Sequence, residues 1–363
     1  MSNTKISTLE AITLILTIVV SHCILSAPNE ILTTYRSASI LNLIYVGIIA
    51  TFIALLIFNL MKKFPGMDII DISEVVGGKI FKNIIGAIFI GYFVITSSFM
   101  LRNFCESIKI IYYPMTNITF LITFFVLAIC IANSLGFSAT IKTNRIVLPF
   151  ALFSILFLTN INNFQPQRVF PILGNGFSQT FILGITNLAS FGGIVYIYFL
   201  PPILKDPSKF KKIAVSSVIT TAIYLIFTVA TLLFIFSFFL NITEISPLYN
   251  ATRYIEFGTF FQRLESIFLL IWILVFACYL SIAFKMSIHV FQKITFISDS
   301  KPLIPIFGLL FFGIALLPKN FAISQYFETH IYKYLVLGIV FALSLTILII
   351  ANTSKKISIK SQQ

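Results

Sequence analysis

Ten stretches of this chain run without a single Asp, Glu, Lys or Arg: 11–29, 37–61, 83–101, 110–141, 146–167, 169–204, 213–243, 266–284, 302–318 and 334–354. A charge at the centre of a membrane-crossing helix costs about 2.5–3.5 kcal/mol. About 20 apolar residues in helical form cross the hydrocarbon layer. Each window is therefore read as one crossing. The two over-long windows open on loop signatures: Tyr112, Tyr113 and Pro114 in one, and Pro171, Gly174, Asn175 and Gly176 in the other. The composition agrees: 58% of residues are hydrophobic and 10% charged, against about 25% charged in soluble domains.

The net charge of +13 is placed asymmetrically. With the N-terminus inside, seventeen of the 25 Lys and Arg fall in inside segments, among them Lys62, Lys63, Lys79, Lys82, Lys205, Lys209, Lys211 and Lys212. Eight fall outside. Cytoplasmic loops carry this excess, so both termini are expected in the cytoplasm and the basic charge faces anionic lipid rather than nucleic acid. The first apolar segment is expected to be retained, since no small-residue cleavage site follows it. The segment 62–82, with Asp68, Asp71 and Glu74 among four Lys, is expected to form a short surface helix.

The whole of 1–363 reads as one transmembrane domain with a basic tail, 355–363. Ten spans divide into five and five, over about 9–165 and 178–354, and an odd number per half inverts the second half. Spans one and six match in their interruptions. Span one carries Ser21, His22, Cys23 and Ser26 ahead of Pro28, and span six carries Ser190, Phe191, Gly192 and Gly193 ahead of Pro201 and Pro202. Paired interruptions of this kind mark a midplane ligand site between the repeats. Half-helix N-termini there attract anions such as a carboxylate. A double glycine also serves close helix packing, and that alternative stands beside the first.

Other polar residues within the spans are candidates. His22 is the one His well inside an apolar window, and intramembrane ionisable groups are functional by default. The hydroxyls of Ser97 and Ser98 at mid-depth of span three could meet a ligand or link helices. Trp272 and Tyr279, seven apart, share a face of span eight. Arg102 and Glu106, four apart, can pair as a gate or a solvated ion pair, and Arg263 and Glu265 mark the mouth of span eight as a structural pair. Lys285 and His289 are expected to face headgroups. Four scattered cysteines with no CxxC support no metal site or redox framework. No nucleophile–base set, P-loop or GxGxxG occurs, so neither catalytic residues nor a cofactor are expected, and the chain is not read as an enzyme.

Several motifs carry a resemblance. Pro247, Leu248 and Tyr249 precede Arg253, Tyr254 and Ile255; Gln262, Arg263, Leu264, Glu265 and Ser266 lead into an apolar helix with Trp272. Pro171, Ile172 and Leu173 stand before span six, Pro201 and Pro202 close it, and Lys5, Ile6 and Ser7 begin the chain. This pattern resembles the B subunit of spore nutrient germinant receptors, over nearly the whole length. That family is similar to amino-acid permeases of the amino acid–polyamine–organocation superfamily. The resemblance implies an all-α membrane protein of about ten transmembrane helices in a five-plus-five inverted repeat (LeuT-like), with helices one and six broken. It implies a sensor of a small nutrient, read as an amino acid bound between spans one, three, six and eight, in the spore inner membrane. Its implied partners are A-type and C-type (lipoprotein) subunits. The chain departs from its relatives where Val20, Ser21 and His22 replace glycines and where Gly192 and Gly193 lack a neighbouring Glu. The other readings are a secondary amino-acid transporter coupled to H⁺ or Na⁺, and a scaffold or ion-conducting subunit without a ligand of its own.

Overall fold

The computed structural model describes residues 5–24, 27–156, 164–235, 248, 251–252 and 264–353. Ser26, Arg263 and most of the outer 241–264 segment lie outside these residues. Among the described residues the fold is helical throughout and no strand forms. The helices are α1 (Thr8–Ile24), α2 (Ala27–Tyr35), α3 (Ser39–Met61), α4 (Ile69–Tyr112), α5 (Ile118–Ser134) and α6 (Phe137–Leu156), followed by a tightly wound helix, Ser178–Phe199. Then come α7 (Phe210–Ile235), α8 (Leu264–Thr295), α9 (Leu303–Ala315) and α10 (Phe321–Thr353). Lipid offers no partner to a free N–H or C=O, which is why apolar windows become helices.

Six of these helices are long and apolar enough to cross a membrane: α2 continued into α3, α4, the tight helix, α7, α8 and α10. The pair α5 and α6, bent by 115° at the break between them, makes a possible seventh, and α1 and α9 are shorter apolar helices of 17 and 13 residues. The chain is an all-α integral membrane protein.

Three boundaries differ from those drawn by charge. Residues 142–145, expected in a loop, are helical within α6. Thr140, Ile141, Asn144, Leu148 and Ala151 are buried at helical spacing while Lys142 and Arg145 stay exposed on the other side, so one face can stay apolar while the charges point away. The surface helix expected in 62–82 is instead the first leg of α4. Asp68 caps it, its Oδ1 accepting from the Ile70 and Asp71 amides at 3.1 Å each, and Asp71 accepts from the Asp68 amide at 3.2 Å. Gly78 (φ +74°, ψ −169°) then turns the chain into the membrane shaft; a side chain would be strained there. Lastly, α10 begins at Phe321, capped by Asn320, and absorbs residues expected outside the membrane.

The bundle is centred on α1 and the tight helix. Nearly every residue of α1 from Ala11 to Ile24 is buried, as are Phe191 to Phe199 without exception. Below them the extended Ile6 is stitched to the end of the tight helix: its amide donates to Ile203 O at 2.8 Å, and its carbonyl accepts from the Lys205 amide at 2.9 Å. Lys5 Nζ reaches Pro202 O at 3.1 Å.

Candidate functional site

At the opposite end from Ile6, a cavity of about 270 Å³ opens between α1, α2, the tight helix and α10. Its walls include Ile18, Val19 and His22 of α1, Glu30, Ile31 and Tyr35 of α2, Asn187, Ala189 and Ser190 of the tight helix, and Glu328, Tyr332 and Lys333 of α10. The volume lies near the lower limit for ligand pockets, which suits a small solute.

The chemistry of the cavity gathers at Glu328. It lies in a π-wound turn, Phe327–Ile331, a rare geometry that recurs at functional sites. The residue is only 6% exposed and His22 only 7%. One Glu328 oxygen accepts a hydrogen bond from Asn103 Nδ2 of α4. The other, Oε1, lies 3.6 Å from His22 Nδ1, too far for a hydrogen bond. Among the described residues Oε1 has no hydrogen-bond partner, and neither has His22 Nε2. The His22 ring stacks on Tyr332 at 4.4 Å and meets Tyr279 edge-on at 6.2 Å.

The tight helix supplies the facing wall. It winds as a π turn over Ser178–Ile182 and as a 3-10 helix over Leu183–Phe199, and Phe191 leaves helical geometry altogether (φ −94°, ψ 25°). Irregular winding leaves carbonyls in need of donors. Asn42 of α3 answers with Nδ2 to Thr180 O at 2.8 Å and to Gly184 O at 3.1 Å. Asn187 donates to Asn42 Oδ1 at 2.7 Å, and Ser190 donates to Asn187 Oδ1 at 2.6 Å. This chain of bonds fixes Ser190 at the cavity wall. Gly192 and Gly193 permit close approach. A methyl at Gly192 would stand 2.6 Å from the Tyr332 hydroxyl, and one at Gly193 2.6 Å from the Ile15 carbonyl. Gly193 thus packs the tight helix on α1, while Gly192 makes room for a cavity residue.

Of the residues singled out in the sequence, His22 and Ser190 line the cavity, and Phe191, Gly192 and Tyr279 lie beside lining groups. Ser21 is buried and donates to Thr17 O at 2.8 Å, and Ser97 donates to Phe93 O at 2.5 Å, each within its own helix. Ser98 is buried with no hydrogen-bond partner among the described residues, and Cys23 is fully buried in the core. Trp272 packs on Phe268 at 6.0 Å, away from the cavity lining. Arg102 and Glu106 pair at 2.8 Å, and both are buried rather than solvated. Glu265 begins α8 in its first turn, a favourable place for an acid.

Glu328, Tyr332, Asn103, Asn187, Glu30 and Lys333 were not picked out from the sequence. A rule that ends each span at the first charge excludes a buried acid by construction. The signal that could have found Glu328 is the apolar and aromatic setting of Phe327, Ile331 and Tyr332 around it.

A second buried polar cluster sits at the other end of α4. Asp68 Oδ2 takes Lys293 Nζ at 2.7 Å and His289 Nε2 at 3.1 Å, and Asp71 takes Lys293 at 2.5 Å. Burial pushes the Asp68 carboxyl up, but the His289 hydrogen bond and the Lys293 charge outweigh it and hold the group well below the usual carboxylate range. Lys285 and His289 are buried, at 8% exposure each, rather than facing headgroups. Asp68 draws His289 inward.

The model of the spore germination protein family matches residues 5–324. The chain is similar to Spore germination protein YndE of Bacillus subtilis (strain 168), 25% identical over 329 residues, 87% of this chain and 88% of that one. It is also similar to Spore germination protein B2 of the same organism, 23% identical over 226 residues, 61% of each chain. A family match across most of the sequence, on a helical membrane fold, leads to one assignment: this chain belongs to the spore germination protein family.

Proposed function

We propose that the protein is the membrane subunit of a nutrient germinant receptor, and that it binds a small nutrient, an amino acid, in the cavity between α1, the tight helix and α10. The observation that carries this reading is the cavity itself: a space of solute size beside the irregular turn at Phe191, with an ionisable pair, His22 and Glu328, in its wall. Binding would favour one arrangement of the helices over another, and partner subunits of the A and C types would read that shift. In this reading the ten apolar windows form ten crossings in two inverted halves, both termini face the cytoplasm, and the membrane is the inner membrane of the spore. The kinship with a germination protein named B2 supports the receptor context.

The test is a spore lacking this chain in a strain with no redundant receptor. It should fail to respond to at least one nutrient. Unchanged germination with every nutrient mixture defeats the reading.

One observation favours a second reading, an amino-acid transporter coupled to H⁺ or Na⁺. The acid missing beside Gly192 has a counterpart in Glu328, buried in the membrane next to His22, and buried acids of this kind relay protons or ions in transporters. Uptake into proteoliposomes driven by an ion gradient would select it; binding without uptake selects the receptor.

A further inference from the structure

Resting on the reading of the cavity as a solute site, one acceptor in it lacks a donor. Glu328 is anchored through one oxygen by Asn103, so its carboxylate is held in place from the α4 side. Oε1 lines up with His22 at 3.6 Å and receives no hydrogen bond from any described residue. A buried carboxylate with an unmet acceptor is costly, and a cationic donor is what offsets that cost most effectively. The surroundings suit a cation too. The Tyr332 ring, stacked on His22, also lines the cavity, and tyrosine rings attract ammonium groups. The other charges of the lining are Glu30 and Lys333 near the mouth, 3.8 Å apart, with Lys333 Nζ also 5.6 Å from the Tyr334 ring. One acid, Glu328, is 6% exposed, while the more open Glu30 and Lys333 pair with each other.

We propose that Glu328 is the specificity-determining residue of the cavity: its Oε1 receives the ammonium group of the nutrient, so the site selects solutes bearing a primary amine and rejects isosteric acids, sugars and nucleosides. Asn103 is a positioning residue that holds the carboxylate toward the cavity. A zwitterion then enters amine first, with its carboxylate left toward Lys333. A hydrogen-bonding site rejects an analogue lacking the bonded group far more strongly than an apolar site rejects a missing methylene, so discrimination by the amine should be steep.

The experiment uses the full chain in lipid nanodiscs, with binding read by calorimetry and by thermal shift. The probes are L-alanine, L-valine and L-leucine, their amine-free counterparts propionate, 3-methylbutyrate and 4-methylpentanoate, and glucose and inosine. At least one amino acid should bind, with its amine-free counterpart at least 100-fold weaker. Glu328→Gln keeps an oxygen for Asn103 and should weaken binding at least 30-fold. Glu328→Asp should recover part of that loss, and Glu74→Gln, remote from the cavity, should change nothing. If an amine-free acid, glucose or inosine binds the unaltered protein as well as any amino acid does, Glu328 is not an amine receptor, although the cavity remains a solute site. If none of the probes binds the unaltered protein, this assignment and the amino-acid reading both fall. Stabilisation by NaCl over KCl, without amino acid and absent in Glu328→Gln, would assign Oε1 to a metal cation and overturn the proposal. The comparison of amine-bearing and amine-free probes on the unaltered protein decides the matter even if a variant does not fold.

Discussion

Two buried polar clusters sit at opposite ends of α4, and they are built on opposite terms. At the Asp68 end each carboxylate oxygen that faces the interior has a partner: His289, Lys293, or the backbone amides of the helix cap. At the Asn103 end, Glu328 Oε1, His22 Nε2 and Asn103 Oδ1 have no hydrogen-bond partner among the described residues. A fully satisfied buried network rigidifies the fold, whereas a partly satisfied one costs stability. The first cluster is a clamp between α4 and α8. The second carries unmet hydrogen-bonding capacity next to a cavity, which is the expected signature of a site that accepts something from outside.

The largest effect should come from breaking the clamp. Asp68→Asn preserves the helix cap, since Asn caps as well as Asp, but leaves His289 and Lys293 without their central anion. A loss on the order of 3 kcal/mol is expected, read as a lowered melting temperature in detergent micelles. The same clamp sets a pH response. The folded Asp68 carboxyl is depressed, so its contribution is complete above the unfolded value of about 3.9 and is lost as pH falls through the lower folded value. The share of the melting temperature that depends on Asp68 should be constant above about pH 4 and be lost below it, so Asp68→Asn should lessen the drop at acid pH. A variant with the same acid limb as the parent would show that the clamp carries none of it.

Gly193→Ala should be next. Its methyl would press on the Ile15 carbonyl at 2.6 Å, a backbone atom that cannot step aside, at a cost of about 1–3 kcal/mol. Gly192→Ala displaces only the Tyr332 hydroxyl and should perturb solute binding more than melting. Equal losses of stability from the two would erase the distinction drawn between a packing glycine and a cavity glycine. At the incomplete cluster, Glu328→Gln should leave stability unchanged or raise it by up to about 1 kcal/mol, because it removes a buried charge whose Oε1 gains nothing in the free protein. A collapse of folding instead would show the two clusters to be alike. The smallest effect, about 0.6 kcal/mol, is expected for Thr17→Val, which removes the 2.7 Å bond to Asn144 between α1 and α6; thermal melts of paired single and double variants would resolve it.

What could be read from the sequence follows from what the bilayer punishes. Charge inside hydrocarbon is expensive, so uncharged windows located the helices, and His22 was conspicuous because it breaks that pattern. The glycines of the tight helix announced irregular or close-packed backbone, and both outcomes occur, at Phe191 and at Gly193. The same penalty hid Glu328. Residues 319–333 hold Lys319, Glu328, His330 and Lys333 and so read as water-exposed, yet α10 carries Glu328 into the interior by pairing it with Asn103 from a helix 225 positions away in sequence. His289 was hidden in the same way, since only its contact with Asp68 draws it inside. Long-range pairing of polar groups leaves no periodic trace in one sequence.

The stitch at Ile6 has a mechanical consequence. Two backbone bonds and a lysine sew the foot of α1 to the foot of the tight helix, so these two walls of the cavity are tied together at one end, as the arms of a pair of tongs are. A solute that spreads the arms should do so at the untied end, and a crosslink between Ile6 and Ile203 should therefore leave solute binding intact.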